Sequence, residues 1–119
     1  MTTLVNDKLQ QLAQQKCVQC RQGDPALSIA KTRELMTALP HWELVQKHSI
    51  RRTWNFANFV ETMQFVETIA VIATTNDHHP DVSFGYNYCT VLYSTHAINE
   101  LSENDFICAA QIELISTEK

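Results

Sequence analysis

The chain lacks several features that would assign it to a large functional class. Its 119 residues include only nine lysines and arginines against thirteen acidic residues, and the basic residues form no stripe that could track a phosphate backbone. Nucleic-acid binding as a primary activity is therefore not expected. No apolar run approaches the ~20 residues that cross a bilayer, and the polar N-terminus lacks the pattern of a secretion signal. We expect a soluble cytoplasmic protein that binds neither nucleic acid nor membrane.

Cysteine is also scarce, and its arrangement is incomplete for a structural zinc site. Cys17 and Cys20 form a Cys-x-x-Cys pair, but there is no second pair, whereas structural zinc normally takes four ligands. Cys89 and Cys108 lie in apolar segments, which is typical of buried free thiols. Two interpretations of Cys17 and Cys20 stay open: reduced thiols in an N-terminal leader, or ligands of a small zinc protein that also uses histidines.

The length and composition indicate a single domain over residues 1–119. This length is near the commonest domain size, and a hydrophobic fraction of 45% can supply one core. The only linker-like stretch is RQGDPALS, so we divide the chain into a leader of residues 1–27 and a core of residues 28–119.

Hydrophobic patterning predicts an α+β fold with two layers. Helices are predicted over roughly 3–16 and over 29–38, followed by strand, strand, helix, strand, strand and helix. Runs of paired strands imply antiparallel pairing, and the helices can cover one face of the resulting four-stranded sheet. Exposed outer strands would allow edge-to-edge dimerisation.

Capping patterns mark where three of these helices begin. Ser28 is the predicted N-cap of the helix over 29–38. Asn58 with Glu61 has the spacing of a capping box, and Ser102 with Asp105 repeats it before the last helix.

Three of the five histidines fall in one segment, NDHHPDVSFGYNYCTVLYSTH. His78 and His79 precede one predicted strand and His96 follows the next, so a hairpin would bring all three together. Histidine exchanges protons near neutral pH, which indicates acid–base chemistry. Zinc binding stays an alternative, although the chain has no His-x-His or His-x-x-x-His pair. His41 and His48 are interpreted as surface residues.

Residues around the histidines have both structural and functional interpretations. Asp105 suits the first turn of a helix, where it favours the helix dipole, and it could also accept a ring N–H from a histidine. Pro80 most simply stiffens the corner. Phe84 and Tyr86 are either sheet residues or one wall of a site for a flat ring.

The segment DHHPDVSFGYNYCTVLYSTHAINELSENDF resembles the pterin-4a-carbinolamine dehydratase family in both residues and spacing. The resemblance covers about residues 28–115, through LPHW and RTWNFANFVETMQFV, and the leader KCVQCRQGDP is similar to bacterial members. Thr74 departs from the family, because many members carry an acid there. The matching positions are His78, His79, Pro80, Tyr86, His96 and Asp105.

The resemblance implies a hydro-lyase that dehydrates 4a-hydroxytetrahydropterin to quinonoid dihydropterin, for recycling after aromatic amino acid hydroxylation. It implies no metal or organic cofactor, a homodimer or homotetramer, and a functional link to an aromatic amino acid hydroxylase. It implies catalysis by an acid–base pair, His78 and His96, with His79 orienting the substrate or assisting the departing hydroxyl, and Asp105 orienting a histidine. The implied substrate-binding residues are Pro80, Phe84, Tyr86, Ser94 and Thr95.

A non-catalytic binding protein on the same fold is the main alternative. The resemblance also covers relatives that act as coactivators or assembly factors, and a fold by itself does not decide function. Retention of all three histidines favours the enzyme.

Overall fold

The computed structural model describes residues 2–116, and its elements follow the predicted order. The helices are α1 (Thr2–Ala13), α2 (Ile29–Met36), α3 (Phe59–Asn76) and α4 (Glu103–Ser116). The strands are β1 (Glu43–Val45), β2 (Ser49–Asn55), β3 (Asp81–Phe84) and β4 (Tyr88–Tyr93). Met1 and residues 117–119, which the predicted leader and core include, lie outside the described residues. In the described part of the chain, no helix is long and apolar enough to cross a membrane.

The four strands form one antiparallel sheet in the order β1-β2-β4-β3, which confirms the predicted α+β class. Side chains alternate between the two sheet faces, so residues paired across strands share a face. On β2 the exposed residues Arg51 and Thr53 alternate with residues of the core. The buried face carries Ile50, Trp54, Cys89, Val91 and Tyr93.

Helix α4 packs against α1 and α3, and its Glu113 pairs with Arg52 of β2 on this sheet face. Phe106, Cys108, Ala109, Ala110 and Ile112 of α4 are fully buried in the core. The predicted arrangement, with helices over one face of the sheet, follows from this packing.

Local capping contacts confirm the predicted starts of α2 and α3. The Ser28 hydroxyl accepts the N–H of Lys31 at 3.1 Å. The Asn58 side-chain oxygen accepts the N–H of Glu61 at 2.9 Å. Helix α3 ends at Asn76, and the φ of 50° at its C-cap Asp77 lies in the left-handed region that terminates helices.

A buried carboxylate connects α4 to β2 and to the residue that precedes β1. Glu113 is 5% exposed and accepts the indole N–H of Trp42 at 3.0 Å, and it also pairs with the guanidinium of Arg52. The Arg52 guanidinium in turn lies 4.7 Å from the centre of the Trp54 ring. A buried charge is stable only when it is paired and hydrogen-bonded, so these contacts depend on one another.

We expect Glu113→Ala to lower the free energy of unfolding by about 3 kcal/mol, because it leaves Arg52 and Trp42 without their acceptor. Urea denaturation measures this change. As the control, Glu34→Ala removes an exposed ion pair with Lys31 and should cost less than about 1 kcal/mol. Equally small losses in the two variants would contradict a stabilising role for the buried network.

Candidate active site

The site begins at the corner where α3 passes into β3. The left-handed turn at Asp77 reverses the chain, and the N–H of His78 donates to the carbonyl of Ala73 at 3.1 Å. His78 and His79 therefore stand immediately after a capped helix end, on backbone that the turn holds in one geometry.

His78 is held by a short hydrogen bond to a buried acid. Its Nε2 lies 2.6 Å from Oδ1 of Asp105, whose side chain is fully buried. An ionised carboxylate only accepts hydrogen bonds, so Nε2 carries the proton and Nδ1 is the basic nitrogen of the neutral ring. Nδ1 has no hydrogen-bond partner among the described residues.

Tyr93 of β4 contacts the same histidine through both its ring and its hydroxyl. Its ring stacks on the His78 ring with 5.4 Å between centroids and 9° between planes. Its hydroxyl donates to the His78 carbonyl at 3.2 Å. Burial raises the pKa of the Tyr93 hydroxyl, which therefore remains a neutral donor. Sequence reasoning missed this residue, although its alternation with Cys89 and Val91 along β4 indicates an inward-facing side chain.

The second oxygen of Asp105 joins the end of β4 to the start of α4. Oδ2 accepts the hydroxyl of Thr95 at 2.9 Å and the N–H of Ser102 at 3.0 Å. The Thr95 and Ser102 hydroxyls are hydrogen-bonded to each other at 2.7 Å. Two hydrogen bonds thus orient the Asp105 carboxylate, and the carboxylate orients His78.

The three clustered histidines line one cleft of about 380 Å³. His78 is mostly buried within the wall, whereas His79 and His96 are exposed. Thr95, Asn76 and Asp77 complete this side of the cleft. The β3–β4 pairing brings His96 back towards the corner, as the hairpin argument predicted.

The other predicted substrate-binding residues do not line the cleft, and Phe84 and Tyr86 lie at the end of the β3–β4 hairpin remote from the histidine corner. Pro80 is half-buried at the corner and Ser94 is half-buried just beyond β4. Phe84 is 42% exposed at the end of β3, and Tyr86 is 64% exposed in the following turn. The substrate-binding roles of these four residues stay predictions.

The leader also lines the cleft, and sequence reasoning placed its residues near the histidines only in the zinc alternative. Residues 17–20 line the cleft together with Asn104 of α4. The Asn104 carboxamide accepts the N–H of Val18 at 2.9 Å and donates to the Val18 carbonyl at 2.6 Å. These residues lie 86 positions apart, so no local pattern relates them.

The cysteines are all free. The Cys17 sulfur lies 3.7 Å from that of Cys108, and this hydrogen bond lowers the pKa of Cys17 and raises that of Cys108. Burial raises the pKa of Cys89 to about 11. In the described residues, no group of three or more His, Cys, Asp or Glu side chains is arranged to hold a metal ion.

Comparison with known sequences identifies relatives along nearly the whole chain. A model of the family described as Pterin 4 alpha carbinolamine dehydratase matches residues 25–115. A Nitrosospira multiformis protein, provisionally named pterin-4-alpha-carbinolamine dehydratase, is 44% identical over 97% of each chain. A Nitrosomonas eutropha protein with the same provisional name is 45% identical, over 87% of this chain and 92% of its own.

Solved structures show the same fold. The transcriptional coactivator/pterin dehydratase from Brucella melitensis has a TM-score of 0.72 at 29% identity, over 76% of this chain and 98% of its own. A pterin dehydratase-like protein, identified as a RuBisCO assembly factor in the alpha-carboxysome, has a TM-score of 0.55 at 18% identity, over 63% of this chain and 88% of its own, which shows the fold alone. The family match and the identities of 44 and 45% lead to one conclusion: the chain belongs to the pterin-4-alpha-carbinolamine dehydratase family.

Proposed function

We propose that the protein dehydrates a 4a-hydroxytetrahydropterin to the quinonoid dihydropterin and water by histidine acid–base catalysis, in tetrahydropterin recycling. The observation that carries the proposal is one cleft lined by His78, His79 and His96, with His78 bonded to a buried carboxylate. The reaction breaks the bond between C4a and its hydroxyl and removes the proton on N5. It therefore needs a base at N5 and an acid at the departing oxygen.

His78 is the proposed base. Its Nε2–H is donated to Asp105, so Nδ1 of the neutral ring is the atom that can take the N5 proton. The Asp105 carboxylate then stabilises the positive charge that develops on the ring. The electron pair left on N5 forms the double bond to C4a.

His96 is the proposed acid, with His79 orienting the hydroxyl. Both side chains are exposed in the cleft, so they can recover a proton from solvent after each turnover. Protonation of the departing hydroxyl releases it as water, which balances the proton taken from N5.

A binding role without catalysis is the competing function. The Brucella melitensis protein is named a transcriptional coactivator as well as a pterin dehydratase, and the 18% identical protein is named a RuBisCO assembly factor. A binding role alone does not need three histidines in one cleft or a buried carboxylate on one of them. Turnover of the carbinolamine by the purified protein separates the two functions.

We expect His78→Ala and His96→Ala each to lower kcat by about 10²- to 10⁴-fold, because each removes one proton-transfer group. Stopped-flow absorbance with synthetic 4a-hydroxytetrahydropterin measures this, after subtraction of the spontaneous rate. His41→Ala is the matched control, since His41 is exposed and lies outside the cleft. Near-normal turnover by a folded His78 or His96 variant would refute the assignment of that residue.

We expect Asp105→Asn to lower kcat by about 10²-fold while changing KM little. The amide oxygen can still accept from Ser102 and Thr95, but its N–H₂ would face His78 Nε2 and favour the wrong tautomer. Steady-state kinetics and thermal melting of the same sample test this. A loss of activity that only follows a loss of folded protein would argue against an orienting role.

We also propose that two copies pair through the β3 edge. Val82 and Phe84 pair with buried residues of β4 and so lie on the helix-covered side of the sheet, yet they are 36% and 42% exposed. An exposed apolar edge strand is a surface on which another strand can pair.

We expect Val82→Lys to convert the dimer to a monomer, because it places a charge in the paired edge. Light scattering after size-exclusion chromatography measures the mass. Val71→Lys, on the exposed face of α3, is the control and should keep the dimer. A Val82→Lys protein that keeps the wild-type mass would rule out pairing through this edge.

A further inference from the structure

The leader segment, defined as residues 17–20, lies outside the part of the chain that the family match covers. Even so, all four of its residues line the histidine cleft. This chain therefore completes its site with a wall that precedes residue 25, where the family match begins.

The leader segment is attached to α4 by side chains that are themselves buried. Asn104 is 6% exposed and holds both the N–H and the carbonyl of Val18, at 2.9 and 2.6 Å. One residue earlier, the Cys17 sulfur contacts that of fully buried Cys108. These contacts hold the backbone of the leader in one position relative to the histidines.

The side chain of Val18 is 73% exposed on this fixed backbone. A single exposed valine is ordinary on a protein surface. Val18 differs because both of its backbone polar groups are bonded to Asn104, so its side chain stays at the cleft and cannot withdraw. Apolar surface held there gains free energy only when an apolar surface of a ligand covers it.

We propose that Val18 is a substrate-binding residue that packs against the flat face of the pterin ring, and that Asn104 is the positioning residue that holds it. The proposal rests on the proposed function, which names the ligand as a pterin. A fused bicyclic ring has apolar faces and a polar edge. Its faces can pack against valine methyl groups while the reacting C4a and N5 lie near the histidines that line the same cleft.

The first test is truncation of the valine. Val18→Ala should raise KM about 5-fold and leave kcat within about 2-fold, because it removes only packing area. Calorimetry should show the same weakening for a dihydropterin that lacks the 4a-hydroxyl and cannot be dehydrated. Ile29→Ala is the matched control, since Ile29 is 60% exposed and lies outside the cleft. Ile29→Ala should change neither the KM nor the affinity for the dihydropterin.

The second test concerns the positioning role. Asn104→Asp keeps the acceptor for the Val18 N–H but replaces the donor to the Val18 carbonyl with a negative oxygen. We expect KM and the dihydropterin Kd to rise at least as much as in Val18→Ala, with kcat retained. Adding Val18→Ala to this variant should then weaken binding little further, because a displaced leader segment no longer places the Val18 side chain against the ring.

Three results separate this inference from the function on which it rests. A wild-type protein that neither binds the dihydropterin nor turns over the carbinolamine would refute both. Normal wild-type turnover with unchanged KM and Kd in Val18→Ala would overturn the role of Val18 alone. An Asn104→Asp protein with reduced kcat and unchanged KM would overturn the positioning role, because it would indicate an effect on the histidines.

Discussion

The buried carboxylate of Asp105 is the constraint on which the site depends. A charge with no exposed surface is costly unless its oxygens are hydrogen-bonded, and here one oxygen bonds His78 while the other bonds Thr95 and Ser102. Each partner comes from a different place: the helix–strand corner, the segment that follows β4, and the N-terminal end of α4. Loss of any one of these hydrogen bonds leaves the buried charge of Asp105 incompletely hydrogen-bonded.

This network explains why the histidines stand at the edge of the fold. The sheet and α4 form a rigid core. The α3–β3 corner and the segment after β4 lie at the surface of this core, where polar side chains do not disrupt its packing. Tyr93 connects the two regions, because it lies in the core face of β4 and stacks on His78. The chemistry proposed for the cleft therefore uses one histidine anchored in the core and two that reach solvent.

Local patterns predicted the order of the helices and strands, because hydrophobic periodicity and helix caps depend on residues near one another in sequence. Ser28 and Asn58 cap their helices as expected, since an N-cap bonds a backbone group only three residues away. The capping box predicted at Ser102 and Asp105 is confirmed in part. Asp105 reaches back to the Ser102 N–H, but the Ser102 hydroxyl bonds Thr95. A tertiary partner outcompeted the local one, which a spacing rule cannot anticipate.

The order of residues along the chain was enough to predict which histidines form the cluster. His78, His79 and His96 are separated by one hairpin, and strand pairing returns the end of a hairpin to its start. Only the tertiary structure decided which ring nitrogen of His78 is free, because that depends on Asp105, 27 residues away. It alone decided that the leader closes the cleft, because the contact of Asn104 with Val18 spans 86 residues and leaves no trace in helical or strand periodicity.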